Sequence, residues 1–292
     1  MSNEQNNNIT KGILCIISSA FFFALMGLFV QLSGDLPSAQ KSLFRNGVAA
    51  IVAFVMLIRE GGGFVWKKGS LSPLVIRSIF GTLGVLCNFY ALDHLMLSDA
   101  LMLNKLSPFF AIILSFLILG ERITIFQISM VAMAFFGSLF IIKPTPALLN
   151  PASLMGLLGG FGAGVAYTMV RKLSNQGERK TYIVFFFSAF SSLILLPYVI
   201  FNFQPMSFIQ LIYLLLAGVC ATLGQFTITA AYLYAPAREI SVYDYTQVIF
   251  TTLLNLIVFG YIPDIFSITG YVIISLSALI MFLKNKKAVK LK

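Results

Sequence analysis

Residues 100–142 read ALMLNKLSPFFAIILSFLILGERITIFQISMVAMAFFGSLFII, and residues 240–282 read ISVYDYTQVIFTTLLNLIVFGYIPDIFSITGYVIISLSALIMF. The two stretches lie on one another without a gap. Phe110, Leu114, Gly120, Ile125, Phe126, Ile128 and Leu139 meet Phe250, Leu254, Gly260, Ile265, Phe266, Ile268 and Leu279. The identities are few, but each copy is a long apolar run, a glycine-marked break and a second apolar run, so layout repeats as well as letters. The stretch therefore reads as half of a duplicated membrane unit.

The rest of the chain supports that reading. Of its 292 residues 59% are hydrophobic and 10% charged, and the mean hydropathy is +0.92. A water-soluble fold has no way to hide that much apolar surface, so lipid is the solvent. A spanning helix needs roughly 20 apolar residues, and ten runs meet that need: 12–31, 42–58, 74–91, 100–119, 123–142, 154–170, 182–200, 209–230, 240–261 and 265–283. The first is longer than a signal-peptide core and nine more follow, so it reads as a retained helix. Cys15, Cys87 and Cys220 fall inside spans, without metal or C-x-x-C spacing, and read as small core side chains.

Five spans per copy is an odd number, so the two copies enter the membrane from opposite sides. The expectation is an all-α integral membrane protein: ten transmembrane helices as two inverted five-helix repeats. A polar tail takes 1–11, the first repeat 12–143, a Pro-containing linker 144–153, the second repeat 154–284 and a basic tail 285–292. Gly12-Ile13-Leu14 and Gly156-Leu157-Leu158 open the two copies, and Gly84 meets Gly224 at the offset of the long echo. Gly156, Gly159, Gly160, Gly162 and Gly164 make the sixth span a close-packing helix, since small residues let helices approach in lipid.

The net charge of +10 is unevenly placed. With the N-terminus in the cytoplasm, Arg59, Lys67, Lys68, Arg122, Arg171, Lys172, Arg179, Lys180, Arg238, Lys284, Lys286, Lys287, Lys290 and Lys292 share that side. The other side keeps Lys41 and Lys143 with Asp35, Asp93, Asp99 and Asp264. This positive-inside pattern puts both termini in the cytoplasm and makes anionic lipid, rather than nucleic acid, the partner of the basic loops. Inverted repeats supply two near-equivalent shapes around a midplane site, the architecture of secondary transporters.

Family features appear at specific segments. Leu43-Phe44-Arg45-Asn46, Phe89-Tyr90-Ala91-Leu92, Leu106-Ser107-Pro108-Phe109-Phe110 and Leu119-Gly120-Glu121-Arg122 carry them in the first copy. Tyr245-Thr246-Gln247-Val248 and Phe259-Gly260-Tyr261-Ile262-Pro263-Asp264 are the partner motifs in the second. Over residues 12–283 the chain resembles the EamA-type branch of the drug/metabolite transporter superfamily, which often has Glu where Tyr261 stands. The resemblance implies a secondary-active or facilitative carrier for small organic solutes, with alternating access and a central cavity lined chiefly by spans 1, 3, 4, 6, 8 and 9. Related carriers move amino acids, S-adenosylmethionine, choline-like amines and riboflavin, so the fold alone names no substrate.

Ionisable groups inside spans cost at least about 2.5–3.5 kcal/mol each unless paired or hydrated. Three stand out: Lys105, Asp244 and Arg45, the last only a few residues inside the outer end of its span and so as readily an interfacial anchor as a functional group. Arg77, near the cytoplasmic start of its span, is expected to snorkel to the interface. In the repeat alignment Lys105 meets Tyr245 and Asn104 meets Asp244. The copies being inverted, a rise of about 1.5 Å per residue puts Lys105 about 8 Å below one boundary and Asp244 about 6–9 Å above the other. A direct salt bridge is therefore not the default: flanking the midplane, the charges would meet the carboxylate and ammonium of a zwitterion or bias opening on either side, the alternative being that they only satisfy each other or neighbouring groups. Asp244, Gln247, Thr251 and Asn255 form one polar helical face, which should look into a cavity or onto Asn88 and Gln225. Tyr90, Tyr167, Tyr243 and Tyr245 add flat faces with hydrogen-bonding tips.

Enzymatic readings find little support: His94 is the sole histidine and lies in a short break, and no G-x-S-x-G, H-E-x-x-H or Walker motif occurs. Neither cofactor nor metal is implied. The expectation is thus an alternating-access carrier of a small metabolite, amino-acid-like or another zwitterion, in a bacterial cytoplasmic membrane, as a monomer or weak homodimer. The buried Asp244 is compatible with proton coupling. Alternatives are a carrier of S-adenosylmethionine, quaternary amines or drugs with this fold, and a membrane scaffold or channel without saturable transport.

Overall fold

A computed structural model describes residues 2–61, 63–95, 97–143, 151–260 and 262–290. Residues 144–150 of the expected linker, Tyr261 and Lys292 lie outside the described residues, as do the side chains of Asp93, Asp99, Lys286, Lys287 and Lys290. Among the described residues all regular structure is helical: α1 (Ser2–Leu32), α2 (Ser38–Glu60), α3 (Leu71–His94), α4 (Leu97–Asn104), α5 (Ser107–Leu119), α6 (Ile125–Ile142), α7 (Pro151–Asn175), α8 (Lys180–Phe201), α9 (Phe208–Tyr234), α10 (Ala237–Ile240), α11 (Thr246–Phe259) and α12 (Ile265–Lys290). Ten spans among them are long and apolar enough to cross a membrane. Residues 2–11 continue the first helix, since no Gly or Pro interrupts them.

The duplicated motif folds as a duplicate. Gly120 ends α5 and Gly260 ends α11, both left-handed with φ of 66° and 70°. That conformation penalises a Cβ, which is why glycine recurs there. At the start of α6, Thr124 and Gln127 cap one another reciprocally. At the equivalent start of α12, Asp264 accepts from the N–H of Ser267 at 3.0 Å and from its hydroxyl at 2.9 Å. Two different residue pairs thus satisfy the same orphan helix-start groups.

Packing shows how the copies join. Helix α1 lies on α9 as α3 lies on α7, and α1 meets α11 as α7 meets α5. Helix α2 packs on its own image α8, and α6 on its image α12. Exchanging the copies reproduces every one of these pairings, the signature of a pseudo-two-fold axis, and because each copy has five spans that axis lies in the membrane plane and the repeats are inverted. The α7 glycines serve two faces. A Cβ on Gly162 would lie 2.7 Å from the Phe80 carbonyl oxygen of α3, and one on Gly160 2.7 Å from the Leu103 carbonyl oxygen of α4. Such backbone-to-backbone approach leaves no space for a side chain, so these glycines set the spacing of the helices around the molecular centre.

Candidate functional site

Two of the ten spans are broken, at equivalent turns. In the fourth span α4 stops at Asn104 and α5 starts at Ser107. Pro108 has no N–H to give the Asn104 carbonyl, and the Phe109 N–H bonds Leu106 at 3.0 Å, so the Lys105 carbonyl lacks a helical donor. In the ninth span a 3₁₀ turn, Ser241–Tyr245, separates α10 from α11. The fully buried Tyr245 donates its hydroxyl to that Lys105 carbonyl at 2.9 Å. Because Tyr245 is the repeat image of Lys105, the two breaks meet on the pseudo-two-fold axis. An exposed carbonyl at membrane depth is tolerated only where protein satisfies it, which the phenol does.

The Lys105 ammonium then donates to Asp244 Oδ2 at 3.0 Å, the Asp244 carbonyl at 3.2 Å and Gln247 Oε1 at 2.8 Å. Its three protons are all placed. This corrects the expectation that the two charges stand apart at different depths. The depth arithmetic ran the ninth span from residue 240, whereas it starts at Ala237, and it took both helices as unbroken. Asp244 is therefore about 4.5 Å deeper, which narrows the predicted gap of about 15 Å. The lysine stem reaches across the rest, beside the two breaks.

The ion pair forms part of the wall of a cavity of about 460 Å³. Nine of the twelve candidate residues line it: Arg45, Asn88, Asn104, Lys105, Tyr167, Gln225, Asp244, Gln247 and Thr251. Asn255, the last member of the polar face on the ninth span, lines it too. The wall also takes Arg45 from the second span and Phe187 from the seventh, which the resemblance did not imply. Its lining reaches the surface at the exposed Gln31, near the end of α1, at the exposed Asp35 in the turn that follows, and at the half-buried Lys41 near the start of α2, which mark its mouth.

Three candidates lie elsewhere. Tyr90 is two residues beyond Asn88, about 200° around the helix; it is exposed and stacks on His94 with ring centroids 4.0 Å apart. Tyr243 is buried outside the cavity wall. Tyr245 supports the break from behind rather than facing the cavity.

Arg77 corrects a second expectation. It does not reach the interface: it is 3% exposed and lines the cavity. One guanidinium nitrogen, Nη2, donates to Gln225 Oε1 at 3.1 Å, and the group lies 3.9 Å from the Phe187 ring centre. The legible signal is Gly81, one helical turn on, where an added Cβ would strike the Arg77 guanidinium and the Phe187 ring. Arg45 is 7% exposed and lies 6.0 Å from the Phe23 ring centre.

Below the cavity floor the molecule is tied shut. Tyr167 stacks on Tyr232, centroids 5.0 Å apart at 13°. One turn on, Arg171 pairs through Nε with Glu121 Oε1 at 3.0 Å and donates from Nη1 to the Tyr232 and Leu233 carbonyls, both at 3.3 Å. One guanidinium thereby joins the ends of the fourth, sixth and eighth spans. Gln127 Nε2 donates to Glu239 at 2.9 Å, and Arg238 donates to the Arg122 carbonyl. The sequence showed Glu121 and Arg171 as a motif letter and a topology charge; their union depends on helices 50 residues apart.

Comparison with known proteins gives the same picture. The EamA-like transporter family matches residues 10–143 and again residues 150–283. The pseudopaline exporter CntI of Pseudomonas aeruginosa is 32% identical over 270 residues, 91% of this chain and 94% of its own. A riboflavin transporter of Vibrio cholerae is 27% identical over 262 residues, 87% of this chain and 86% of its own. A crystal structure at 14% identity superposes with a TM-score of 0.79 over 96% of this chain and 99% of that one, a likeness of fold.

Proposed function

This chain belongs to the EamA-like transporter family, and we propose that it is an alternating-access carrier, secondary-active or facilitative, moving a small organic metabolite. The observation that carries the reading is a polar cavity between inverted repeats, open at one end and tied by Arg171 and Glu121 at the other. Exchange of the two ends would deliver a solute across the membrane, because the pseudo-two-fold axis makes the opposite shape available to the same backbone. The basic loops orient the molecule with both termini in the cytoplasm of a bacterial cell, so the mouth faces outward.

The substrate class we favour is an amino-acid-like zwitterion. Its carboxylate would meet one of the two guanidinium groups, Arg45 or Arg77, and its ammonium would meet Asp244, of which Lys105 engages Oδ2. Asn88, Asn104 and Gln225 offer neutral partners along the same wall. Asp244 is also the group a coupling proton would use.

Counterflow in proteoliposomes tests the carrier. Saturable exchange of a labelled solute that slows at least tenfold in Asp244→Asn and Lys105→Ala is the expected result. Linear, unsaturable flux marks a channel, and unchanged exchange in both variants removes the ion pair from the mechanism.

A further inference from the structure

The cavity wall has more positive charge than its own acids can balance. Among the described residues Arg45, Arg77, Lys105 and Lys41 line it against Asp244 and Asp35, which leaves two positive charges in excess. Lys41 and Asp35 belong to the mouth. Deeper in, Lys105 is matched by Asp244, so the excess resides on the two guanidinium groups. Both are more than nine-tenths buried. Among the described residues Nε and Nη1 of Arg45 and Nε of Arg77 have no hydrogen-bond partner, and Nη2 of Arg77 bonds a neutral amide. Aromatic rings beneath them, Phe23 and Phe187, stabilise a cation without neutralising it.

Such an arrangement is costly to keep empty. A charged group at membrane depth is retained where a partner or a pathway compensates it, and a guanidinium presents a planar fork suited to two-oxygen acids, carboxylate or phosphate. One amino-acid carboxylate answers one of the two. We infer that the solute carries a second acidic group, a carboxylate or a phosphate, so that Arg45 and Arg77 each meet one acid. The inference rests on the carrier reading and narrows it from zwitterions in general to those with an added acid.

Two matched pairs of probes isolate the second acid: glutamate against glutamine, and phosphoserine against serine. Thermal melting of the full detergent-solubilised chain is followed against each. In at least one pair the acidic member should stabilise at a half-maximal concentration tenfold or more below its neutral partner, and which pair responds separates carboxylate from phosphate. Arg45→Gln and Arg77→Gln should each cut that ratio below threefold, while Arg45→Lys and Arg77→Lys, which keep the charge and lose the fork, should fall between. The ratio is taken within each variant, so a general loss of stability does not imitate the effect. Should Arg77→Gln fail to fold, Arg45→Gln leaves the Arg77–Gln225 bond in place and carries the test.

Equal shifts within both pairs, a ratio that survives both Gln variants, no stabilisation by either acidic member at millimolar concentration, or inorganic phosphate acting as well as phosphoserine would each overturn the inference. Saturable counterflow of a neutral or cationic solute alone overturns it and keeps the carrier. Discrimination within a pair without counterflow of the acidic member upholds it and overturns the carrier.

Discussion

At one end of the cavity Arg171 binds Glu121 and two carbonyls of the eighth span; at the other end the equivalent positions of the sequence carry no charge. The register that matches Gly120 to Gly260 puts Tyr261 where Glu121 stands, and the register that matches Gly156 to Gly12 puts Gly27 where Arg171 stands. A Cβ on Gly27 would touch nothing within 4 Å. The backbone is nearly indifferent to which end closes, because the repeats are images of one another. Side chains that break the symmetry choose the end. The ion pair of Lys143 with Asp264 joins α6 to α12 away from the cavity and is about half exposed, so it fastens two peripheral spans without sealing the mouth.

Three changes would sharpen or break that contrast. The largest effect is expected at the pivot shared by both ends. Asp244→Ala strands the Lys105 ammonium, whose side chain is 4% exposed, with neutral acceptors; losing one member of a buried pair costs roughly 3–5 kcal/mol. Replacing both, as Lys105→Met with Asp244→Leu, should recover most of that in thermal melting because no charge is left unpaired. A double variant as unstable as the single one would mean that the breaks, rather than the charges, hold the pivot.

The tied end comes next. Glu121→Gln keeps the shape of the side chain and removes its charge, so Arg171 retains its carbonyl acceptors and loses its counter-charge. With both side chains more than 80% buried, the cost should be about 1–3 kcal/mol. Its distinctive sign is conformational: a cysteine placed at Tyr167 should gain reactivity toward a thiol reagent from the tied end and lose it from the mouth. Unchanged labelling at both ends would show that Arg171 and Glu121 pack the helices without deciding which end is open.

The smallest effect belongs to the exposed pair. Lys143 and the Ser267 N–H and hydroxyl hold the Asp264 carboxyl at about 2, below its ordinary 3.8. A lowered value in the folded state means that the stabilisation is fully present above about pH 4 and is lost as pH falls toward 2. The melting difference between the parent chain and Lys143→Ala should therefore be small, flat from pH 7 to 5, and shrink below pH 4. A difference that grows on acidification would contradict this origin.

The sequence showed the ten spans, the duplication and its inversion, because hydropathy, length and the parity of the span count are local or additive properties. It also placed the polar face Asp244, Gln247, Thr251 and Asn255 on one side of its helix, since the 3.6-residue period is local too. The break in the fourth span was marked by Pro108, while the equivalent position in the ninth is Val248, and no residue there announced the 3₁₀ turn.

Distances between segments were a different matter. Lys105 and Asp244 stood about 15 Å apart on straight helices and are bonded across broken ones; Arg77 was free to turn toward either the interface or the centre, and Gly81 with Phe187 turned it inward. Composition and period thus determined what kind of molecule this is and which faces are polar. Only the tertiary structure decided which charges pair, which two buried guanidinium groups lack an acid partner among the described residues, and which end of the cavity is shut, because each depends on the meeting of residues 50 to 150 positions apart, where a displacement of a few ångströms separates an ion pair from two lone charges.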